Sequence, residues 1–310
     1  MRSKHKMVDT SLWERYKGSI LGLAVGDALG APAEFLRRGT YKRIERMAGG
    51  GLLCLEPGEW TDDTAMARCL GESLLSCNGF CCDDQLQKYL RWWKEGYLSC
   101  NGTCIDIGWT TRQALQRLDG IEQTPLTTHL VTEASNGSIV RIAPVCLYYY
   151  PNTDAAIYFS GQSSKTTHES RECVDACRLL ATYVCRILTS RNRDYIFDSL
   201  PAESSYSERI KSIAEGSFTY KHLGQIFADS TASSSLEAAL WCFWNTKTFR
   251  ECLTLAVNLG EDTDSVGALC GQLAGAYYGA SAIPSDWLKD LKKRDELSDL
   301  AARLFRTNLE

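Results

Sequence analysis

Glycine recurs every four residues in two apolar stretches of this chain, at Gly18, Gly22, Gly26 and Gly30 and again at Gly267, Gly271, Gly275 and Gly279. In a helix that spacing puts each set on one face, and each glycine costs a helix about 1 kcal/mol relative to alanine. Four such costs in a row need a compensating gain. Close approach of a neighbouring backbone supplies one, so both segments are expected to be helices packed deep in the core. A membrane span competes for residues 266–283, which carry no charge. Gln272, two tyrosines and many small residues stand there instead of a leucine-rich run, which argues against it.

Helical periodicity dominates the rest of the chain, and alternating strand patterns are short. The expectation is an all-α fold with helices near 10–30, 63–77, 83–95, 106–118, 137–149, 167–190, 206–215, 233–244, 248–259, 263–279 and 294–306. Pro151, followed by Asn152, Thr153 and Asp154, breaks one helix and starts another. The 310 residues, 44% of them hydrophobic, can bury one large core, and no Pro- or Gly-rich linker divides them. A single domain over 1–310 is therefore expected. The polar, serine-rich stretch 191–235 reads as surface structure.

A formal net charge of -4 with 34 scattered Lys and Arg gives no basic stripe for a nucleic-acid backbone, so nucleic acid is not the expected partner. Fourteen cysteines are spread through a long chain whose first ten residues lack the apolar core of a signal peptide. Free thiols in a reducing cytoplasm are the expectation. Cys77, Cys81, Cys82, Cys100 and Cys104 crowd one region, but their spacing is a weak zinc signal and no histidine lies among them. Cys173, Cys177 and Cys185 fall at helical steps and read as core. With four histidines in the chain a Ser-His-Asp triad is hard to build, so carboxylates are expected to carry the chemistry.

Two acidic clusters stand out, Thr61-Asp62-Asp63-Thr64 and Glu261-Asp262-Thr263-Asp264-Ser265, each just before an apolar helix. Helix capping would explain one oxygen-bearing side chain in each. It does not explain two carboxylates plus hydroxyls in each. If the clusters met, their like charges would demand a cation, and hard oxygen donors suit Mg2+ or Mn2+, with two ions fitting two clusters. Asp27, within the first glycine-rich helix, must be bonded to a helix terminus or lie near that cation. Glu34, just beyond that helix, is a candidate general acid or base.

The ordered motifs LGLAVGDALGAPAEF, GEWTDDT, CIDIGWTTRQAL, NGSIVRIAPV, THESRECVDACRLLA and NLGEDTDSVGALCGQLAGAYYG resemble those of the ADP-ribosylglycohydrolase family, over roughly residues 12–280. The resemblance implies an orthogonal helical bundle with a dinuclear metal centre in a cleft. It assigns Thr61, Asp62, Asp63, Asp262, Asp264 and Ser265 to two ions, Mg2+ or Mn2+. It makes Glu34 and Asp106 catalytic, and it places Asn136, Gly137, Ser138 and His168 on the ADP-ribose, with Asn136, Gly137 and Ser138 donating to its phosphates. Gly137 and Ser138 at a helix start would also offer free amides to a pyrophosphate. There are two departures: Trp109 stands where some arginine-specific relatives have Asn, and Glu261 where many relatives have Gly.

The implied activity is metal-dependent hydrolysis of the bond between ADP-ribose and a modified protein side chain, with arginine the first choice. Such a reaction passes through an oxocarbenium-like state. Alternatives are an O-linked substrate (serine or O-acetyl), a nucleotide pyrophosphohydrolase, or a silent ADP-ribose-binding or structural protein on the same fold. The expected partner is an ADP-ribosylated protein or conjugate, with no membrane, and the expected state is a cytoplasmic monomer.

Overall fold

The computed structural model describes residues 10–120, 134–198 and 206–308, so most of the N-terminal segment and part of the serine-rich stretch lie outside the described residues. Among the described residues there are fourteen α-helices and no strand, only isolated bridges between loops. They are α1 (Thr10–Gly30), α2 (Asp62–Ser76), α3 (Cys82–Glu95), α4 (Trp109–Leu118), α5 (Ala143–Tyr149), α6 (Thr153–Lys165) and α7 (Arg171–Thr189). The second half adds α8 (Arg193–Phe197), α9 (Glu208–Ala214), α10 (Ala232–Trp244), α11 (Phe249–Ala256), α12 (Thr263–Tyr278), α13 (Ser285–Asp290) and α14 (Arg294–Arg306).

The glycine stripes explain the centre of the bundle. A β-carbon placed on Gly18, Gly22 or Gly26 would stand 2.2, 2.2 and 1.9 Å from the carbonyl oxygens of Gly275, Gly271 and Gly267, respectively. As residue numbers rise along α1 they fall along α12, so the two helices are antiparallel and touch backbone to backbone. Gly30 meets Thr263, whose hydroxyl donates to the Gly30 carbonyl at 2.8 Å. Gly279 plays a different part: at φ +87° it ends α12. Helices α10 and α11 cover α12, α14 covers α1, and α6 packs on α7. Among the described residues no helix is long and apolar enough to cross a membrane. Residues 263–276 of α12 are all buried.

Three expected helix starts are corrected, the first being 167, since residues 167–169 precede the Ser170 N-cap and α7 opens only at Arg171. Residues 106–108 do not open α4, because Asp106 takes a left-handed φ of +55° and Gly108 forms the N-cap. Residues 137–142 form a turn in which the amides of Ile139 and Val140 both return to the Asn136 carbonyl, and α5 begins only at Ala143. The cysteines of α7 are core as expected, and none of the fourteen cysteines is in a disulfide.

Candidate active site

Asp27 fixes the acidic start of α2 from across the helix pair. Its carboxylate accepts from the amides and hydroxyls of both Thr61 and Thr64, at 2.6–3.1 Å. Thr61 occupies the N-cap without capping its own helix, and Asp27 satisfies the orphan amides in its place. Burial pushes the Asp27 carboxyl up to about 6, and the bonds from Thr64 and Thr61 pull against that rise. Of the two readings of this residue, the structure displays the helix-terminus one. Asp27→Ala would strand four buried donors and is expected to cost about 3 kcal/mol or more in denaturant unfolding, with Asp27→Asn costing less because its amide keeps one acceptor.

Beyond this anchor, Asp62 and Asp63 line a cleft of about 340 Å³. Thr61 stands behind them against Asp27. From the start of α12, Asp262, Asp264 and Ser265 reach the same cleft, and Glu34 and Asp106 complete its acidic wall. Carboxylate oxygens of Glu34, Asp262 and Asp264 lie within 4.8 Å of one another. A backbone clasp holds this geometry: the Phe35 amide donates to the Glu261 carbonyl at 2.7 Å, and the Glu261 amide to that of Leu36 at 2.8 Å. Glu261 sits at φ +64°, a conformation that favours glycine, and its side chain is exposed. A glycine here, as the family resemblance implies for many relatives, would therefore have a backbone reason, and the carboxylate of Glu261 is solvated.

Six carboxyl groups in one largely buried cleft repel one another. Burial, then the facing Asp106, Asp262 and Asp62, push Glu34 up to about 9. Burial and neighbouring carboxylates also drive Asp62, Asp63 and Asp264 well above the usual carboxylate range, and burial raises Asp106. Among the described residues, one buried oxygen each of Asp63, Asp262 and Asp264 has no hydrogen-bond partner. Orphaned hard donors facing one another fit a divalent cation, which would relieve both the repulsion and the unmet bonding.

Asn136, Gly137 and His168 line the same cleft. The Asn136 amide donates to Asp262 at 3.0 Å and to Ser235 at 2.8 Å, so this side chain orients an acidic residue. The Ser138 hydroxyl is buried and accepts from Ser164 at 2.9 Å, away from the cleft. A phosphate contact at 137–138 would therefore come from backbone, and not from a helix terminus, since α5 starts later. A β-carbon at Gly137 would stand 3.2 Å from the His168 ring. Sequence reasoning missed Arg141 and Thr167 behind His168, although a lone charge inside the apolar run Ile139-Val140-Arg141-Ile142 was a visible signal. A wider groove of about 650 Å³ lies elsewhere, but Arg43 and Arg250 along it are already paired with Glu45 and Asp286, so volume does not locate the site.

An all-helical bundle with a largely buried carboxylate cluster lining a cleft is the architecture of a metal-dependent hydrolase. The chain belongs to the ADP-ribosylglycohydrolase family, whose model matches residues 8–309, and the family is one of hydrolytic enzymes. It is similar to the ADP-ribosylarginine hydrolase Tri1 of Serratia proteamaculans (strain 568), with 37% identity over 94% of this chain and 79% of that protein. It is 31% identical to the ADP-ribosyl-[dinitrogen reductase] glycohydrolase of Rhodospirillum rubrum, over 94% of each chain. A solved structure titled ADP-ribosylglycohydrolase-related protein complex superposes with a TM-score of 0.82 at 37% identity, covering 96% of this chain and 99% of that one.

Proposed function

We propose that this protein hydrolyses the N-glycosidic bond between ADP-ribose and an arginine side chain of a modified protein. The observation that carries the reading is the convergence of unpartnered oxygens from Asp63, Asp262 and Asp264 in one cleft. Thr61, Asp62, Asp63, Asp262, Asp264 and Ser265 would hold two divalent ions, Mg2+ or Mn2+. Such ions supply a Lewis acid for the ribose hydroxyls and an activated water. Asn136 keeps Asp262 oriented for that task. Backbone at Gly137 and Ser138 receives the pyrophosphate, since glycine lets an anion approach closely. Glu34 and Asp106 move the proton at the leaving nitrogen and, as fixed charges, favour positive charge on the ribose ring.

Trp109 and Phe35 support a cationic leaving group such as arginine, although Trp109 departs from the Asn of some arginine-specific relatives. Both line the cleft and are 61% and 60% exposed, large aromatic faces at the mouth of an acidic site. A guanidinium is attracted to both features. All six candidate metal ligands, with Glu34 and Asp106, come from one chain, which supports action as a monomer, and fourteen cysteines outside any disulfide support a cytoplasmic setting. The test is a panel of arginine-linked and serine-linked ADP-ribosyl peptides and O-acetyl-ADP-ribose, each with Mg2+ or Mn2+. The reading expects ADP-ribose release from the arginine conjugate with the highest kcat/KM. Preference for an O-linked conjugate would overturn the specificity, and release of AMP would overturn the reaction.

A further inference from the structure

Arg141 is fully buried, yet among the described residues no carboxylate is paired with it. Its guanidinium lies over the Tyr89 ring at 4.5 Å, touches the Met66 sulfur, and donates to the Thr167 hydroxyl at 2.7 Å. A buried charge without a counter-ion is costly and needs a purpose. The Thr167 hydroxyl supplies a direction for it, because its oxygen also lies 2.7 Å from Nδ1 of His168.

The protons in this chain can be assigned by elimination. Arginine only donates, so Thr167 Oγ1 accepts from Arg141. Thr167 is buried, and Arg141 and His168 are the partners its hydroxyl has among the described residues. If Nδ1 of His168 carried a proton and donated, the hydroxyl proton of Thr167 would have no acceptor. The hydroxyl therefore donates to a bare Nδ1, and the imidazole proton resides on Nε2. Burial and the nearby Arg141 charge both hold the His168 ring neutral. His168 lines the cleft, and its Nε2 edge lies beside Gly137.

We infer that Arg141 is a positioning residue that acts through the Thr167 hydroxyl, fixing His168 as a neutral Nε2–H donor aimed at an anionic phosphate oxygen of the nucleotide. The ligand half rests on the proposed ADP-ribose substrate, while the tautomer is a property of the free protein. Arg141 adds fixed positive charge behind the donor, so one wall of an acidic cleft accepts an anion.

The test is nitrogen-15 NMR of the four histidines at pH 7, together with titration of ADP-ribose itself. Wild-type His168 is expected as the neutral tautomer protonated at Nε2. In Thr167→Val and in Arg141→Met the lock is gone, and the signals should move to a mixture containing the Nδ1–H form; Thr167→Ser should restore the wild-type pattern. Kd for ADP-ribose should weaken about tenfold in the two locked-out variants, the loss of one charge-assisted hydrogen bond, with KM following and kcat changing less than twofold. A wild-type ring protonated at Nδ1, or variants that keep pure Nε2–H, would overturn the assignment, and the wild-type spectrum decides even if a variant fails to fold. An unchanged Kd would overturn the phosphate role alone. A protein that hydrolyses none of the conjugates but shows the expected tautomer refutes the substrate reading and leaves the tautomer lock standing.

Discussion

Asp264→Asn and Asp62→Asn are each expected to lower turnover of the ADP-ribosylated substrate about a thousandfold while leaving the fold intact. Losing one negative ligand forfeits several kcal/mol of Lewis-acid stabilisation, and about 4 kcal/mol corresponds to that factor. The amide is nearly isosteric, so packing survives. In chelator the variants should melt at or above the wild-type temperature. Asp62 and Asp264 have folded-state pKa values raised by burial and by neighbouring carboxylates. Their contribution to stability is therefore fully present below the unfolded carboxylate pKa and is lost as pH rises through the folded value. The advantage of the Asn variants should thus be larger at pH 8 than at pH 5. A pure capping role predicts no such pattern, because Asn and Asp cap about equally well. Activity assays and melting curves on the same preparations separate the two.

The second large effect concerns the helix pair that brings the clusters together. Gly26→Ala is expected to cost about 3 kcal/mol or more, and Gly26→Val to prevent folding. The added β-carbon would meet the Gly267 carbonyl oxygen at 1.9 Å and its carbon at 2.2 Å. Overpacking against a side chain typically costs 1–3 kcal/mol, but here the obstacle is backbone inside another helix, which cannot swing aside. The propensity gain of alanine, about 1 kcal/mol, does not offset it. Against a typical total stability of about 5–15 kcal/mol this is a severe loss. Gly224→Ala is the control, since nothing lies within 4 Å of its β-position. Circular dichroism under urea measures both.

Much of this architecture could be read from particular residues. The period-four glycines announced a close helix pair because repeated glycine on one helix face has few other uses. Which glycine faced which, and that Gly279 would instead end α12 at positive φ, depended on the antiparallel register. Helix α6 was not expected over its whole length because its Ser160, Gly161, Ser163 and Ser164 are buried yet polar or small, so no apolar stripe marks it. The starts at 106 and 137 failed for a local reason. Asp106 adopts a left-handed backbone that a helical pattern does not reveal. Ile139, Val140 and Ile142 are buried in a turn as they would be in a helix.

The acidic wall was legible as residue types at two helix starts. Their meeting was not, because it is made by α1 against α12 and by the Phe35–Glu261 clasp. The bonds of Asn136 to Asp262 and of Thr167 to Arg141 likewise join residues distant in sequence. Spacing alone cannot register such pairs. The lone Arg141 could have been singled out by the same burial argument that singled out Asp27.

The account stands most directly on one titration: metal-depleted protein, an arginine-linked ADP-ribosyl peptide, and Mn2+ added in known equivalents while free ADP-ribose is measured. The convergent carboxylates predict no turnover without the ion, a rise with added Mn2+, and a break near two equivalents. Full activity in the presence of excess chelator would contradict it.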